Sequence, residues 1–163
     1  MRSEFLLRPI QPSDNEQVAR IIRTVMTEFG AVGHGFSIMD PEVDHMYEAY
    51  RAPRHAMYVV EKGGRLLGCG GFGPLAGGEA HICELKKMYF LPELRGNGMG
   101  KKLVNLVLEE ARHAGYTQCY LETLCSMQAA NALYQKMGFF PLNGALGATG
   151  HGGCDAWYLR ELK

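Results

Sequence analysis

The segment Arg95-Gly96-Asn97-Gly98-Met99-Gly100-Lys101 packs three glycines and two cations into seven residues. It lies between a strand-like stretch and a helix-like one. The first N–H groups of a helix have no carbonyl partner, and with the helix dipole they make a weakly positive end. Glycines let a ligand approach the main chain. This chemistry suits an anion, above all a phosphate. Two common phosphate loops fail on spacing. The pattern G-x-G-x-x-G requires glycine where Lys101 stands. The Walker A loop requires four residues between its glycines and then G-K-[ST], whereas three separate Gly96 from Gly100 and Lys102 replaces the hydroxyl residue. The second candidate is Glu84, an acidic residue inside the apolar strand-like run Ile82-Cys83-Glu84-Leu85, where strands disfavour it. A carboxylate there can accept a proton, anchor an amine, or serve structure by pairing with Lys86 or Lys87 or facing water. Period-two alternation puts it on the face of Met88 unless a bulge intervenes.

The elements that position these groups follow from periodicity. Phe5 to Pro9 reads as a strand. Ser13-x-x-Glu16 reads as a capping box ahead of a helix with Val18, Ile21, Ile22, Val25 and Phe29 on one face, stopped by Gly30. A second helix is predicted from Asp40-Pro41, with Val43, Met46, Tyr47 and Tyr50 apolar. Met57 to Glu61 and Leu66 to Phe72 flank the hairpin signal Lys62-Gly63-Gly64-Arg65. Leu75 to Glu79 turns the chain into a long strand, Ala80 to Phe90. A helix carrying Leu103, Val104, Val107, Leu108 and Ala111 ends at Gly115, and Gln118 to Thr123 follows as a strand. Ser126 caps a last helix with Ala130, Leu133, Tyr134 and Met137, stopped by Gly138. Phe139 to Leu142 and Ala156 to Leu162 are the final strands, separated by a loop with five glycines. Strand, crossover helix and strand in the middle imply one parallel pair in an otherwise antiparallel sheet. The expected class is α/β mixed, with helices on both faces of one sheet.

Composition narrows the function. Seventeen Lys+Arg balance seventeen Asp+Glu, so a surface devoted to nucleic acid or anionic membrane is not expected, and any bound anion must be held locally. No apolar run approaches a membrane span of about 20 residues. Met1 to Pro9 holds only a three-residue apolar patch, too short for a secretory signal. Five cysteines without a C-x-x-C argue against a disulfide framework or a zinc site, so no metal is expected and a cytoplasmic setting fits.

The pattern that does match the loop is R-G-x-G-x-G/A between a strand and a helix. In this the sequence resembles the GNAT superfamily of acetyl-CoA-dependent N-acetyltransferases. Leu85-Lys86-Lys87-Met88-Tyr89-Phe90-Leu91-Pro92-Glu93-Leu94 resembles the family's long strand and its approach to the loop. Ala129-Ala130-Asn131-Ala132-Leu133-Tyr134-Gln135-Lys136-Met137-Gly138-Phe139 resembles its A-x-x-L-Y-x-K-x-G-F segment. The resemblance covers residues 4–163 and implies a single domain with a splayed parallel strand pair. It implies that acetyl-CoA is the cosubstrate, with Arg95 to Lys101 (Gly96, Asn97, Gly98, Met99 and Gly100 between them) around its diphosphate. The edge Lys87-Met88-Tyr89-Phe90 would pair with the pantetheine arm, and an N–H near Met88 would face the thioester oxygen. Tyr134 would act as general acid, or is a core tyrosine. Glu84 would act as base, or anchor the amine, or be structural. Met127 stands where many members carry Asn, and Asn131, one turn before Tyr134, is the weaker substitute.

The acceptor side is less defined. His34, Phe36, Tyr47, Tyr50, His151, Cys154 and Asp155 are candidates, most of them in glycine-rich loops. A covalent route through Cys154 has little support. The expected reaction is direct attack of a primary amine, of a small molecule, in a ternary complex; a protein N-terminus or lysine is the alternative acceptor. A non-catalytic coenzyme A sensor is the alternative outside enzymes. A homodimer is compatible.

Overall fold

A computed structural model describes residues 4–163. Met1–Ser3, the start of the stretch read for a secretory signal, lie outside the described residues. The strands are β1 (Leu6–Pro9), β2 (Ala56–Lys62), β3 (Arg65–Pro74), β4 (Ile82–Phe90), β5 (Gln118–Thr123), β6 (Phe140–Leu142) and β7 (Ala156–Glu161). The helices are α1 (Asn15–Glu28), α2 (Met46–Tyr50), α3 (Met99–His113) and α4 (Gln128–Lys136). One seven-stranded sheet runs β1-β2-β3-β4-β5-β7-β6. Every neighbouring pair is antiparallel except β4 and β5. This is the mixed α/β class expected from the sequence. No described helix is long and apolar enough to cross a membrane.

Alternation along β2 shows how the two faces are filled. Met57 and Val59 point to one face and pack with Val18, Ile22 and Val25 of α1 and Met46 and Tyr50 of α2. Tyr58 points to the other, where Leu103, Val107 and Ala111 of α3 and Tyr134 of α4 complete the core. The β2–β3 hairpin turns on Gly63 and Gly64, both at positive φ, and closes on the pair Lys62–Arg65.

Three local readings of the sequence are corrected. Ser13 does not start α1: a 3-10 turn covers Pro12–Asp14, and the Asp14 carboxylate accepts the Gln11 N–H at 2.7 Å and the Arg8 guanidinium at 2.7 and 3.0 Å. Asp14 is buried and partnered by Arg8, which favours it over the hydroxyl one residue earlier. The helix predicted from Asp40-Pro41 divides into a 3-10 turn, Pro41–Asp44, and the short α2, because His45 takes a non-helical conformation (φ −135°, ψ 41°) between them. Ser126 does not cap α4; the capping position is Met127 and carries no side-chain cap.

Two features of β4 shape everything downstream. Lys86 pairs with Gly71 and Tyr89 with Cys69, so Lys87 and Met88 together oppose Gly70 alone. That is a β-bulge, and Lys87 holds a left-handed backbone at φ 56° within it. The bulge shifts the alternation: Leu85 and Met88 belong to the α3 side, whereas Tyr89 packs on the α1 side. Glu84 and Met88 therefore face opposite sides of the sheet. In addition, parallel pairing with β5 covers only Ile82, Cys83 and Glu84. Beyond Glu84 the strands diverge, and Leu85 to Phe90 have no strand partner on that side.

The sheet tolerates little beside this bulge. A Cβ on Gly71 would collide with the Ala56 carbonyl oxygen and the Met57 main chain, neither of which can move without breaking β2–β3 pairing. Gly71→Ala is expected to lower the unfolding free energy by about 2 kcal/mol or more, read from urea denaturation.

Candidate functional site

The cradle predicted around Arg95 to Lys101 is built as the sequence suggests. A 3-10 turn, Pro92–Leu94, leads from β4 to Gly96 and Gly98, at φ 79° and 76°, and Gly98 caps α3 without a side chain. Left-handed backbone here favours glycine. The first main-chain bond into the helix runs from the Lys102 N–H to the Gly98 carbonyl. Among the described residues, the N–H groups of residues 96–101 donate to no main-chain carbonyl. They open on a groove of about 310 Å³ lined by Arg95, Gly96, Gly98, Met99, Gly100 and Lys101 on one side. Met88, Tyr89 and Phe90, at the unpaired β4 edge, line it on another, and Ala130, Leu133 and Tyr134 of α4 close it.

Not every predicted contact residue reaches this groove. The Arg95 guanidinium is engaged by Glu28 at 2.7 and 2.8 Å and donates to the Phe90 carbonyl at 3.1 Å, which leaves Lys101 as the cation without a carboxylate partner among the described groove residues. The Asn97 side chain donates to the carbonyls of Glu93, Leu94 and Arg95, so it ties the loop. Asn131 donates to the carbonyls of Leu124 and Met127 at 2.8 Å and accepts from the Tyr158 hydroxyl at 2.7 Å. Its amide is saturated by the protein and lies off the groove. Met127, in contrast, lines it.

Behind the divergence of β4 and β5 lies a second, smaller cavity of about 50 Å³, lined by Glu84, Glu122, His151, Cys154 and Phe36 among others. Tyr134, Met88 and Tyr89 line both cavities. Tyr134 thus sits at the passage between cradle and carboxylate. Its ring is packed edge-on to Phe139 and tilted to Tyr158, so it is a core residue that also lines both cavities. Burial holds its hydroxyl well above the ordinary tyrosine range, with Tyr89 adding to the effect.

Glu84 is 5% exposed. Burial pushes its carboxyl up to about 7; Lys86 opposes and Glu122 reinforces the rise. Neither Lys86 nor Lys87 forms an ion pair with it among the described residues. Lys87 instead reaches Asp40 at 2.5 Å and Glu42 at 3.3 Å. Asp40 also binds His151: its two oxygens lie 2.9 and 3.0 Å from Nε2, and Nδ1 faces Glu122 at 3.7 Å. Glu122 accepts hydrogen bonds from Tyr120 and Thr149 as well. Held by Asp40 and Glu122, the imidazole rises to about 9 despite its burial. One ligand atom each from Glu84, Glu122 and His151 lies within 4.8 Å of the others. His151 is hydrogen-bonded to Asp40 and faces Glu122, so these side chains form an ion-pair chain beside Glu84. Cys154, beside it, is pushed up to about 12, by burial first and then by Glu122 and Glu84, and is a poor nucleophile.

Of the acceptor-side candidates, Phe36, His151 and Cys154 line this cavity, whereas Tyr50 is buried in the α1 face, His34 is exposed and Asp155 accepts the Cys125 N–H at 2.7 Å. Tyr47 lies under the Arg51 guanidinium. Sequence reasoning placed Lys87 on the strand edge without its ion pair, and it missed Asp40 and Glu122 as site residues. Glu122 carried the same signal as Glu84, an acid inside a strand.

A model of the acetyltransferase (GNAT) family matches residues 19–139, most of the chain. The chain belongs to the GNAT acetyltransferase family. It is an acyltransferase. An N-acetyltransferase of Escherichia coli (strain K12), YjgM, itself uncharacterized, is 46% identical over 158 residues, covering 96% of this chain and 95% of that one. Among solved structures, a GNAT acetyltransferase from Staphylococcus aureus Mu50 superposes with a TM-score of 0.84 at 19% identity, over 98% of this chain and 100% of that one. The structure of yncA, described as a putative acetyltransferase from Salmonella typhimurium with its cofactor acetyl-CoA, superposes with a TM-score of 0.74 at 20% identity, over 99% and 95%. Both solved likenesses speak for the fold of this GNAT chain.

The buried carboxyl makes a prediction about stability. Glu84 titrates near 7 folded and near 4.5 unfolded. Between these values the folded state holds the extra proton, so stability falls as pH rises across that window and stays lowered above it. At about 1.4 kcal/mol per pH unit the penalty is roughly 3 kcal/mol. Glu84→Gln is expected to raise stability by up to this amount at pH 8 and to leave it unchanged at pH 4, measured by chemical denaturation at the two pH values.

Proposed function

We propose that this GNAT acyltransferase moves an acetyl group from acetyl-CoA to the primary amine of a small molecule, by direct attack with both substrates bound. The observation that carries this reading is the arrangement of two cavities joined at Tyr134. One offers free amides and an unpaired strand edge; the other offers a buried, easily protonated carboxyl.

The residues fit the cosubstrate. Residues 96–101 offer unpaired amides and Lys101 a cation suited to a diphosphate. The edge from Leu85 to Phe90 suits an amide-bearing arm that adds like a strand. When bound, acetyl-CoA supplies an acetyl group activated as a thioester. Glu84 takes a proton from the ammonium form of the amine, which ordinarily titrates near 10. A main-chain N–H of the unpaired β4 edge donates to the oxygen that becomes negative when nitrogen attacks the carbonyl carbon. The Tyr134 hydroxyl, kept protonated by its burial, donates to the sulfur as the carbon–sulfur bond breaks, and the second proton lost by the acylated nitrogen restores it. The cramped acceptor cavity, covered by the segment around Phe36 and the loop around His151, favours a small amine over a folded protein surface.

Free-thiol release from acetyl-CoA across a panel of small primary amines tests this reading. With any accepted amine, Tyr134→Phe is expected to reduce kcat about 100-fold with folding intact, and Glu84→Gln about 100- to 10,000-fold. In the wild type kcat/KM should fall below pH 7 as Glu84 takes up its proton, and that limb should vanish in Glu84→Gln. Coenzyme A binding without thiol release from any amine would overturn the proposal.

A further inference from the structure

The chain Lys87–Asp40–His151–Glu122 spans four separate segments and has no assigned task. Lys87 comes from the β4 bulge, Asp40 from the turn before α2, His151 from the β6–β7 loop and Glu122 from β5. His151 is the member supplied by a long glycine-rich loop, Asn143 to Gly153. Its side chain is nonetheless only 9% exposed. The loop is pinned there by a hydrogen bond from the Gly153 N–H to the Gly35 carbonyl at 2.9 Å and by the Phe36 ring lying against Gly153. Both acceptor-side loops are thus joined at the point where the imidazole meets Asp40.

We propose that His151 is a positioning residue whose positive charge, clamped by Asp40 and Glu122, lowers the proton affinity of the buried Glu84 and so ties the state of the base to the docking of the His151 loop. This rests on the reading of Glu84 as base. The physical argument is proximity in a poorly solvated place. A cation within 4.8 Å of a buried carboxyl favours the ionised form, and little water screens it.

Other charges act on Glu84 as well, and Lys86 favours its ionised form more strongly than His151 does. On its own strand, Lys86 lies at the cavity wall and Lys87 is engaged by Asp40 and Glu42. From β5, Glu122 opposes ionisation, and Tyr120 beside it stays neutral, its hydroxyl held up by burial. Cys119 of β5 and Cys154 of the loop are likewise held neutral. From α2, the Tyr50 phenol is raised by burial and by Glu42. Asp40 and Glu42 are each bound to a cation. Lys86 and Lys87 are built into the strand, so His151 is the one positive neighbour that arrives with a loop.

The test needs no acceptor. The side-chain carboxyl 13C resonance of Glu84, assigned by its loss in Glu84→Gln, is titrated in the whole protein. The expected midpoint is about 7 in the wild type. It should rise by roughly one to two pH units in His151→Gln and fall in Glu122→Gln. Lysine or arginine at 151 should restore the wild-type midpoint more closely than glutamine. An unmoved midpoint in His151→Gln overturns the proposal. Should that variant not fold, the wild-type imidazole 15N shifts decide: an imidazolium through pH 8 is expected, and a neutral ring at pH 7.5 overturns it. Failure of the base reading looks different, because Glu84→Gln would then retain thiol release while these titrations still behaved as described.

Discussion

A buried ion pair holds the site open. Lys87 adopts a left-handed backbone that few non-glycine residues take, and its ammonium, 1% exposed, is fixed by Asp40 and Glu42. Local strain of this kind persists where surrounding contacts over-determine it. The bulge it anchors redirects β4, and parallel pairing with β5 ends at Glu84. The unpaired edge, the cavity behind it and Glu84 at the fork all lie beside this departure.

The same economy fits the proposal that a chain of zero formal charge accommodates a strongly anionic cosubstrate. The cradle relies on main-chain dipoles at the start of α3 rather than on a cluster of arginines, and Arg95 itself is turned back onto Glu28. On the acceptor side the charges are numerous but mutually compensated, with Lys87 and His151 shared among Asp40, Glu42 and Glu122. Glu84 has no cation hydrogen-bonded to it among the described residues, so burial is the largest influence on its titration, moderated by Lys86 and His151 nearby. The acyl-donor cavity is thus electrostatically simple and local, whereas the acceptor cavity depends on side chains drawn from distant parts of the chain.

That contrast sets what could be read in advance. The element order and the cradle were legible because each rests on neighbours in sequence: hydrophobic periodicity, a glycine run, a helix start. Glu84 was legible because an acid inside an apolar strand is locally discordant. The bulge was foreseeable only as a condition, since nothing around Lys86-Lys87 announces a left-handed residue. The partners Asp40 and His151 are 111 residues apart, and Asp40 reads locally as an ordinary helix cap. Asn131 misled for the converse reason: its type suits a ligand contact, but Leu124, Met127 and Tyr158 already satisfy its amide. Pairings across the sheet decide such cases, and one-dimensional patterns do not contain them.

The central claim is that coenzyme A adds to the β4 edge like a further strand, with its diphosphate on the amides ahead of α3. Residue-resolved amide hydrogen exchange, with and without coenzyme A, tests it directly. The account predicts that exchange slows along Leu85 to Phe90 and across residues 96–101, with little change in β1, β2 and β6. Protection confined to other segments, with these two stretches exchanging as before, would contradict it.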